Sequence, residues 1–440
     1  MKKTILTGIL FYTSILSVLL VACQKEEHPQ KQNEYDASVA ASWMNLYLRL
    51  TKVTPGFNSV VATRAYAYAG LTLYESLAPG SKDLQSIMPQ LNDAPLIPAV
   101  QNEKKYYWPA SANAALASVT KKLFGNASAA MVTAIDSLEN DWNNRFQNKA
   151  SAEEIQLATA FGKQVATIIF DWSKTDGGHE AYNNTTSATY VPPTGAGMWV
   201  PTPPAFGKPL HPYWGNNRSF IKNIVTETQP AAPIAFSTQQ GSAFYNEVKY
   251  LFDRSKQLSG NDSITVKFWG DITGNYNAPA HAANIVTQLI QRKNLSLYDA
   301  AILYCKHGIA YSDALISSFK AKYQYNLLRP VSYIREVFEE TGWNPVIPTP
   351  PHPEYASNHA VISSAAAQVL AARFGTNTMF TDSTYTAEYG VRIYPSFQKY
   401  AEEAAMSRVL GGIHYHFTAL SGLEQGKKVG NRVNQLVFLK

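Results

Sequence analysis

The chain has 440 residues, 45% of them hydrophobic and 16% charged, with a formal net charge of +6. That length and apolar content suit a folded protein with a sizeable core, in one large domain or two to three ordinary ones. No run of Lys or Arg forms a basic arm or stripe, which excludes nucleic acid as a partner.

The first residues read as an export signal. Lys2-Lys3 form a basic region and Ile5 to Val21 an apolar one. Leu20-Val21-Ala22-Cys23 resembles a bacterial lipobox, which implies removal of residues 1–22 and lipidation of Cys23. The apolar stretch is interrupted by Thr, Tyr and Ser and is short for a membrane span. Gln24-Lys25-Glu26-Glu27 resembles the acidic export signal of surface lipoproteins of Bacteroidetes. The expectation is a protein held to the outer membrane through its lipid alone and exported to the cell surface. Residues 23–36 then form the lipidated Cys23 and a polar tether. Cys305 is the one thiol left. An internal disulfide is excluded, as are zinc sites of the Cys/His kind. Its apolar surroundings, Ala301 to Tyr304, make Cys305 a packing residue.

From residue 37 onward the periodicity is helical. Helices are predicted over Tyr35–Thr51 and Val60–Leu77, then Ala110–Leu123, Ala129–Gln147 and Ala152–Thr175. Ser151 precedes the last of these as a cap, with Glu153 and Glu154 in the first turn. Residues 176–216 change character and are rich in Gly, Pro, Thr, Asn, Trp and Tyr. So long a stretch without regular structure is usually functional or disordered, and its aromatic content favours a packed loop that shapes a rim. Helices resume at Gly241–Ser255, Ser263–Trp269, Ala280–Arg292, Ser296–Lys320, Ser357–Phe374 and Pro395–Leu410. No strand-rich region appears. The expectation is one all-α helical-bundle domain over residues 37–440.

Three clusters in the C-terminal third carry chemistry. In the first, Lys322 and Arg329 are seven apart and share a face if the segment is helical. Two cations so placed, with no acidic neighbour in sequence, call for an anion between them. In the second, Ser357-Asn358-His359 opens an Ala-rich helix, and a helix N-terminus is a ready anion site. In the third, Arg408 and His414 flank Gly411-Gly412, a pair able to end or bend a helix. Together they offer three cations, a hydroxyl, a helix start and two histidines. That set matches the needs of a tetrahedral oxyanion.

Taken in order, Lys-x6-Arg-Pro at 322–330, Ser-x-His at 357–359 and Ser-Arg-x5-His at 407–414 resemble the vanadium-dependent haloperoxidases and the related type 2 phosphatidic acid phosphatases. The resemblance implies a helical bundle of that type and vanadate as cofactor, with phosphate able to take the same site. It implies that Lys322, Arg329, Ser357, Asn358 and Arg408 bind the vanadate oxygens. His414 would be the metal ligand, His359 the acid/base, and Lys322 the residue that polarises peroxide. Hydrogen peroxide and halide would be the partners, and a homodimer would be in keeping with the family. Upstream, Phe268-Trp269-Gly270-Asp271, Pro279 and His281 also resemble the haloperoxidase pattern, which makes Asp271 a candidate partner of Arg408. His352 stands where brominating enzymes carry His and chlorinating ones Phe, so bromide or iodide is the expected halide.

Two positions depart from the pattern. Asn358 replaces a Gly, which places a side chain by the pocket while its backbone N–H still serves. Thr418 stands where an Asp four after the histidine is usual, so the carboxylate that orients this histidine is missing from that place. An acid-phosphatase-like hydrolase with His414 as nucleophile is the alternative function. A non-catalytic oxyanion-binding surface lipoprotein is the third.

Overall fold

Helix ends decide the architecture, because the local sequence satisfies them in recognisable ways. The computed structural model describes residues 35–270 and 275–440. The export signal, Cys23 and Asp271 lie outside the described residues. The N-terminal helices are α1 (Ser38–Val53), α2 (Ser59–Glu75), α3 (Trp108–Leu123), α4 (Ala129–Phe146) and α5 (Ala152–Ser173). Ser151 caps α5 in a reciprocal box with Glu154. There follow a four-residue turn of helix, α6 (Ile224–Glu227), then α7 (Ala243–Lys256), α8 (Gly260–Phe268) and α9 (Ala278–Arg292). The C-terminal half holds α10 (Leu297–Tyr325), α11 (Pro330–Val337), α12 (Asn358–Phe374), α13 (Thr386–Tyr389), α14 (Phe397–Leu410) and α15 (His416–Asn434).

The all-α expectation holds, with one small addition. Strand β1 (Phe380–Asp382) pairs antiparallel with β2 (Arg392–Tyr394), Thr381 opposite Ile393. Besides the four-residue α6 and α13, two helices were not expected. α11 begins at Pro330, which sits at a helix start because its missing N–H has no partner to lose there. α15 carries Gly422, Gly426 and Gly430, which read as breakers in sequence but serve close packing.

α10, the longest helix at 29 residues, runs through the middle of the molecule. It packs along α2 on one side and against α12 on the other. Gly308 lets α2 approach, since a Cβ there would meet the Tyr66 carbonyl at 2.6 Å. Cys305 is fully buried in this contact layer, as a packing residue. α12 in turn packs on α15 and α14. No described helix is long and apolar enough to cross a membrane.

The α12–α15 contact holds the two helix starts that bear Ser357 and His414 side by side. A Cβ on Gly426 would lie 2.1 Å from the Val361 carbonyl. Overpacking of this kind costs about 1–3 kcal/mol. Gly426→Ala is therefore expected to lower stability by that amount in chemical denaturation. Gly342→Ala, whose Cβ would meet nothing within 4 Å, is expected to stay within about 0.5 kcal/mol of the parent.

Candidate active site

Two chain reversals shape the first and third sequence clusters. α10 ends at Tyr325 because Asn326 takes a left-handed conformation (φ 45°) and donates its backbone N–H to the Lys322 carbonyl. Lys322 thus lies in the last turn of α10, while Arg329 lies beyond it as the cap of α11. The two do not share a helical face, which corrects the sequence expectation. Their meeting comes from the turn, not from helical periodicity. At the end of α14, Gly412 has φ 79°. Ile413 N–H bonds the Arg408 carbonyl at 3.1 Å and Gly412 N–H the Val409 carbonyl at 3.0 Å. These are the paired bonds of a Schellman ending. The Gly pair turns the chain so that Arg408 and His414 face one cavity.

That cavity has a volume of about 430 Å³. His352, Asn358, His359, Arg408 and His414 are among the residues that line it. Lys322, Arg329 and Ser357 are fully buried beside it. Ser357 caps α12 by backbone only: its hydroxyl makes no capping bond and, though buried, has no hydrogen-bond partner. An oxygen in that state calls for a ligand atom. The first N–H groups of α12 have no helical partner either.

Hydrogen bonds assign the protons on His414. Its Nε2 lies 3.3 Å from Arg329 Nη1, and its Nδ1 lies 2.6 Å from Glu354 Oε1. An arginine only donates. Nε2 therefore carries the lone pair, and Nδ1–H donates to the carboxylate. Burial, then the charges of Arg329, Lys322 and Arg408, hold the His414 pKa well below its ordinary value, so the ring is neutral. Burial pushes the Glu354 carboxyl up to about 7, against the pull of Arg329 and Lys322. Three donors converge on its Oε1: His414, Tyr415 N–H at 3.0 Å and the Thr418 hydroxyl at 2.6 Å.

Glu354 was not singled out in the sequence, although it lies three residues before Ser357. The signal available was a carboxylate next to an anion-site motif. The carboxylate absent at Thr418 is present from another segment, with Thr418 bonded to it. The His416 ring, two residues on, lies against Tyr250 at 5.4 Å. Asn358 lines the cavity and is held from behind. Its side-chain oxygen accepts from Ser318 of α10 at 2.8 Å, which ties the amide to the helix behind it.

The cations are heavily engaged. Lys322 Nζ donates to the carbonyls of Pro353, Glu354 and Ala356 at 3.1, 2.9 and 2.6 Å, using all three protons. Arg329 holds the carbonyls of His352 and Ile413, each at 2.9 Å, and places Nη2 3.0 Å from His352 Nδ1. His352 Nδ1 also lies 3.1 Å from the Pro353 carbonyl. Arg408 Nη1 donates to the Trp269 carbonyl at 2.7 Å. The Trp269 ring stacks on His281 at 4.6 Å, and His281 Nε2 lies 2.7 Å from Asp382 of β1. His281 is thus a support for the Arg408 side of the site. The 176–216 loop reaches the cavity through Leu210, whose N–H bonds the Pro351 carbonyl at 2.9 Å.

The chain is similar to known proteins in sequence and in fold. Residues 302–438 match the family described as VCPO second helical-bundle domain. A bacterial vanadium-dependent iodoperoxidase superposes with a TM-score of 0.81 at 28% identity, over 93% of this chain and 98% of that one. The holo form of a bacterial vanadium-dependent chloroperoxidase shares the fold, with a TM-score of 0.69 at 16% identity over 88% and 93% of the two chains. No curated protein matches the sequence.

The unpartnered hydroxyl gives a clean test of oxyanion binding. Ser357→Ala removes a buried group that makes no bond in the protein, so the melting temperature is expected to hold or rise slightly. A hydrogen bond to a charged group contributes about 1.5–3 kcal/mol. Binding of orthovanadate, followed by calorimetric titration, is expected to weaken accordingly, by about ten- to a hundredfold.

Proposed function

We infer that this chain is a vanadium-dependent haloperoxidase, the reading that its fold, its second-bundle domain and its site jointly support. The single observation that carries it is His414 Nε2, set 3.3 Å from Arg329 Nη1 beside the open start of α12. The residues fit vanadate as a cofactor. His414 Nε2 would ligate it, and Arg329, Arg408, the Ser357 hydroxyl and the N–H groups of Asn358 and His359 would hold its oxygens. Contact with Lys322 requires that one of its three carbonyls be exchanged for an oxyanion oxygen. Until then Lys322 fixes the 353–356 segment and supplies charge.

Bound vanadate supplies a Lewis-acidic centre that makes peroxide oxygen electrophilic toward halide. Peroxide, halide and one proton give hypohalous acid and water, so each turnover consumes a proton. His359, in the cavity wall and in the first turn of α12, is the group to hand protons to and from the reacting oxygens. Glu354 accepts a hydrogen bond from His414 Nδ1, which leaves Nε2 as the bare nitrogen and fixes the ring in orientation. Iodide or bromide is the proposed halide, supported by His352 at the cavity wall and by the iodoperoxidase relative. The export signal and Cys23 support a lipid-anchored place in the cell envelope.

A second reading has one specific observation in its favour. The Glu354–His414 pair is also what a nucleophilic histidine attacking phosphorus requires.

Assay of iodide and bromide oxidation with hydrogen peroxide, with and without orthovanadate, separates the two. Activity is expected to appear with orthovanadate and to vanish on its removal. His414→Ala is expected to reduce it to background. His359→Ala is expected to lower kcat by about 10²–10⁴-fold while orthovanadate still binds. Phosphate-monoester hydrolysis by the apoprotein, without vanadate-dependent halide oxidation, points instead to the hydrolase.

A further inference from the structure

We propose that Glu354 is the positioning residue of this site, fixing His414 as an Nε2 ligand in partnership with Thr418. The proposal deepens the vanadate reading above and rests on it. Its ground is geometric. One residue, three positions ahead of Ser357, ties the first and third motif clusters together. The Glu354 N–H donates to the Leu327 carbonyl at 2.9 Å, and its own carbonyl accepts from Lys322 Nζ at 2.9 Å. The main chain is thereby clamped to the end of α10. From this clamp the side chain reaches the start of α15, where its Oε1 accepts hydrogen bonds from His414 Nδ1, Tyr415 N and Thr418 Oγ1. Every one of these groups is buried.

Three donors on one oxygen leave His414 no freedom to flip or to change tautomer. An imidazole whose second nitrogen donates to a carboxylate is held in plane and made a stronger ligand at its free nitrogen. The Tyr415 and Thr418 bonds serve a different end. They lock the carboxylate itself, so the histidine is oriented against a fixed partner. Thr418 Oγ1 lies 2.6 Å from Glu354 Oε1. A carboxylate built at position 418 therefore places an oxygen close to where Oε1 now stands. The orienting charge is transferable between the two positions, and a merely structural role for Glu354 has no such property.

The test uses the whole protein as the parent, Glu354→Gln, and Glu354→Gln combined with Thr418→Asp. Orthovanadate is titrated into each apoprotein and kcat and KM for peroxide are measured. The ¹⁵N shifts of the histidine rings are read on labelled apoprotein. Loss of an outer-shell partner weakens metal binding about 10–100-fold. Glu354→Gln is expected to lose orthovanadate affinity in that range, and the double variant is expected to regain most of it. In the parent apoprotein His414 is expected to carry its proton on Nδ1. That signal should shift in Glu354→Gln and return in the double variant. Orthovanadate binding unchanged in Glu354→Gln overturns the proposal. So does a loss that a folded double variant fails to regain, or an Nε2-protonated His414 in the parent. Should Glu354→Gln not fold, Thr418→Val stands in for it, with a severalfold loss of orthovanadate affinity supporting the proposal and an unchanged affinity opposing it. A parent that binds no orthovanadate sinks the cofactor reading, while the apoprotein shifts still decide the role of Glu354.

Discussion

Withdrawing Lys322, Arg329 and Arg408 from water is the constraint around which the C-terminal half is built. A buried cation is costly unless it is paired and hydrogen-bonded. Burial lowers the Lys322 pKa well below its usual value and brings that of Arg329 down to about 10. The protein offsets this mainly with carbonyl oxygens. Lys322 collects three from the 353–356 segment, and Arg329 holds those of His352 and Ile413. Carbonyls solvate a cation without cancelling its charge. The one carboxylate, Glu354, faces three cations and bonds His414, Tyr415 and Thr418 rather than any of them, so a positive field survives inside the site. That is the condition for preorganised oxyanion binding.

The same bonds hold the backbone in place. The 353–356 segment has no regular structure, yet it precedes the α12 start that carries Ser357 and His359. Its shape depends on the lysine, and the satisfaction of the lysine depends on its shape. On the opposite side the Schellman ending of α14 aims Arg408 and His414 at the cavity, and the glycines of α15 let that helix lie against α12. Site and core are thus one packing problem. Buried aromatic supports extend it: Trp269 accepts from Arg408 through its carbonyl and rests its ring on His281, which Asp382 anchors.

Much of this was legible in sequence, and the rest was hidden for physical reasons. Helices with clear caps and periodicity, such as α5 after Ser151 and α10 after Ser296, were read to within a few residues of their ends or, for α10, somewhat short. α15 escaped because its glycines face another helix, and a helix–helix contact cannot be seen from one strand of sequence. α11 escaped because Pro330 reads equally as an end or a start. Arg329 and Lys322 were paired for the wrong reason, since seven-residue spacing stood in for a turn made by Asn326. Glu354 went unnoticed because its significance lies in Thr418 and His414, some sixty residues away. Thr418 in place of the usual carboxylate reads as a loss; in three dimensions the charge comes from Glu354, beside Thr418 and on the same side of the histidine.

The central claim is that an oxyanion sits between His414, Arg329, Arg408 and the start of α12. The most direct measurement is a crystal structure of the orthovanadate-loaded protein, with anomalous differences collected at the vanadium absorption edge. The account predicts one strong peak within bonding distance of His414 Nε2 and hydrogen-bond reach of Ser357 Oγ. A peak bound elsewhere, or an empty cradle in protein that oxidises halide with peroxide, would contradict it.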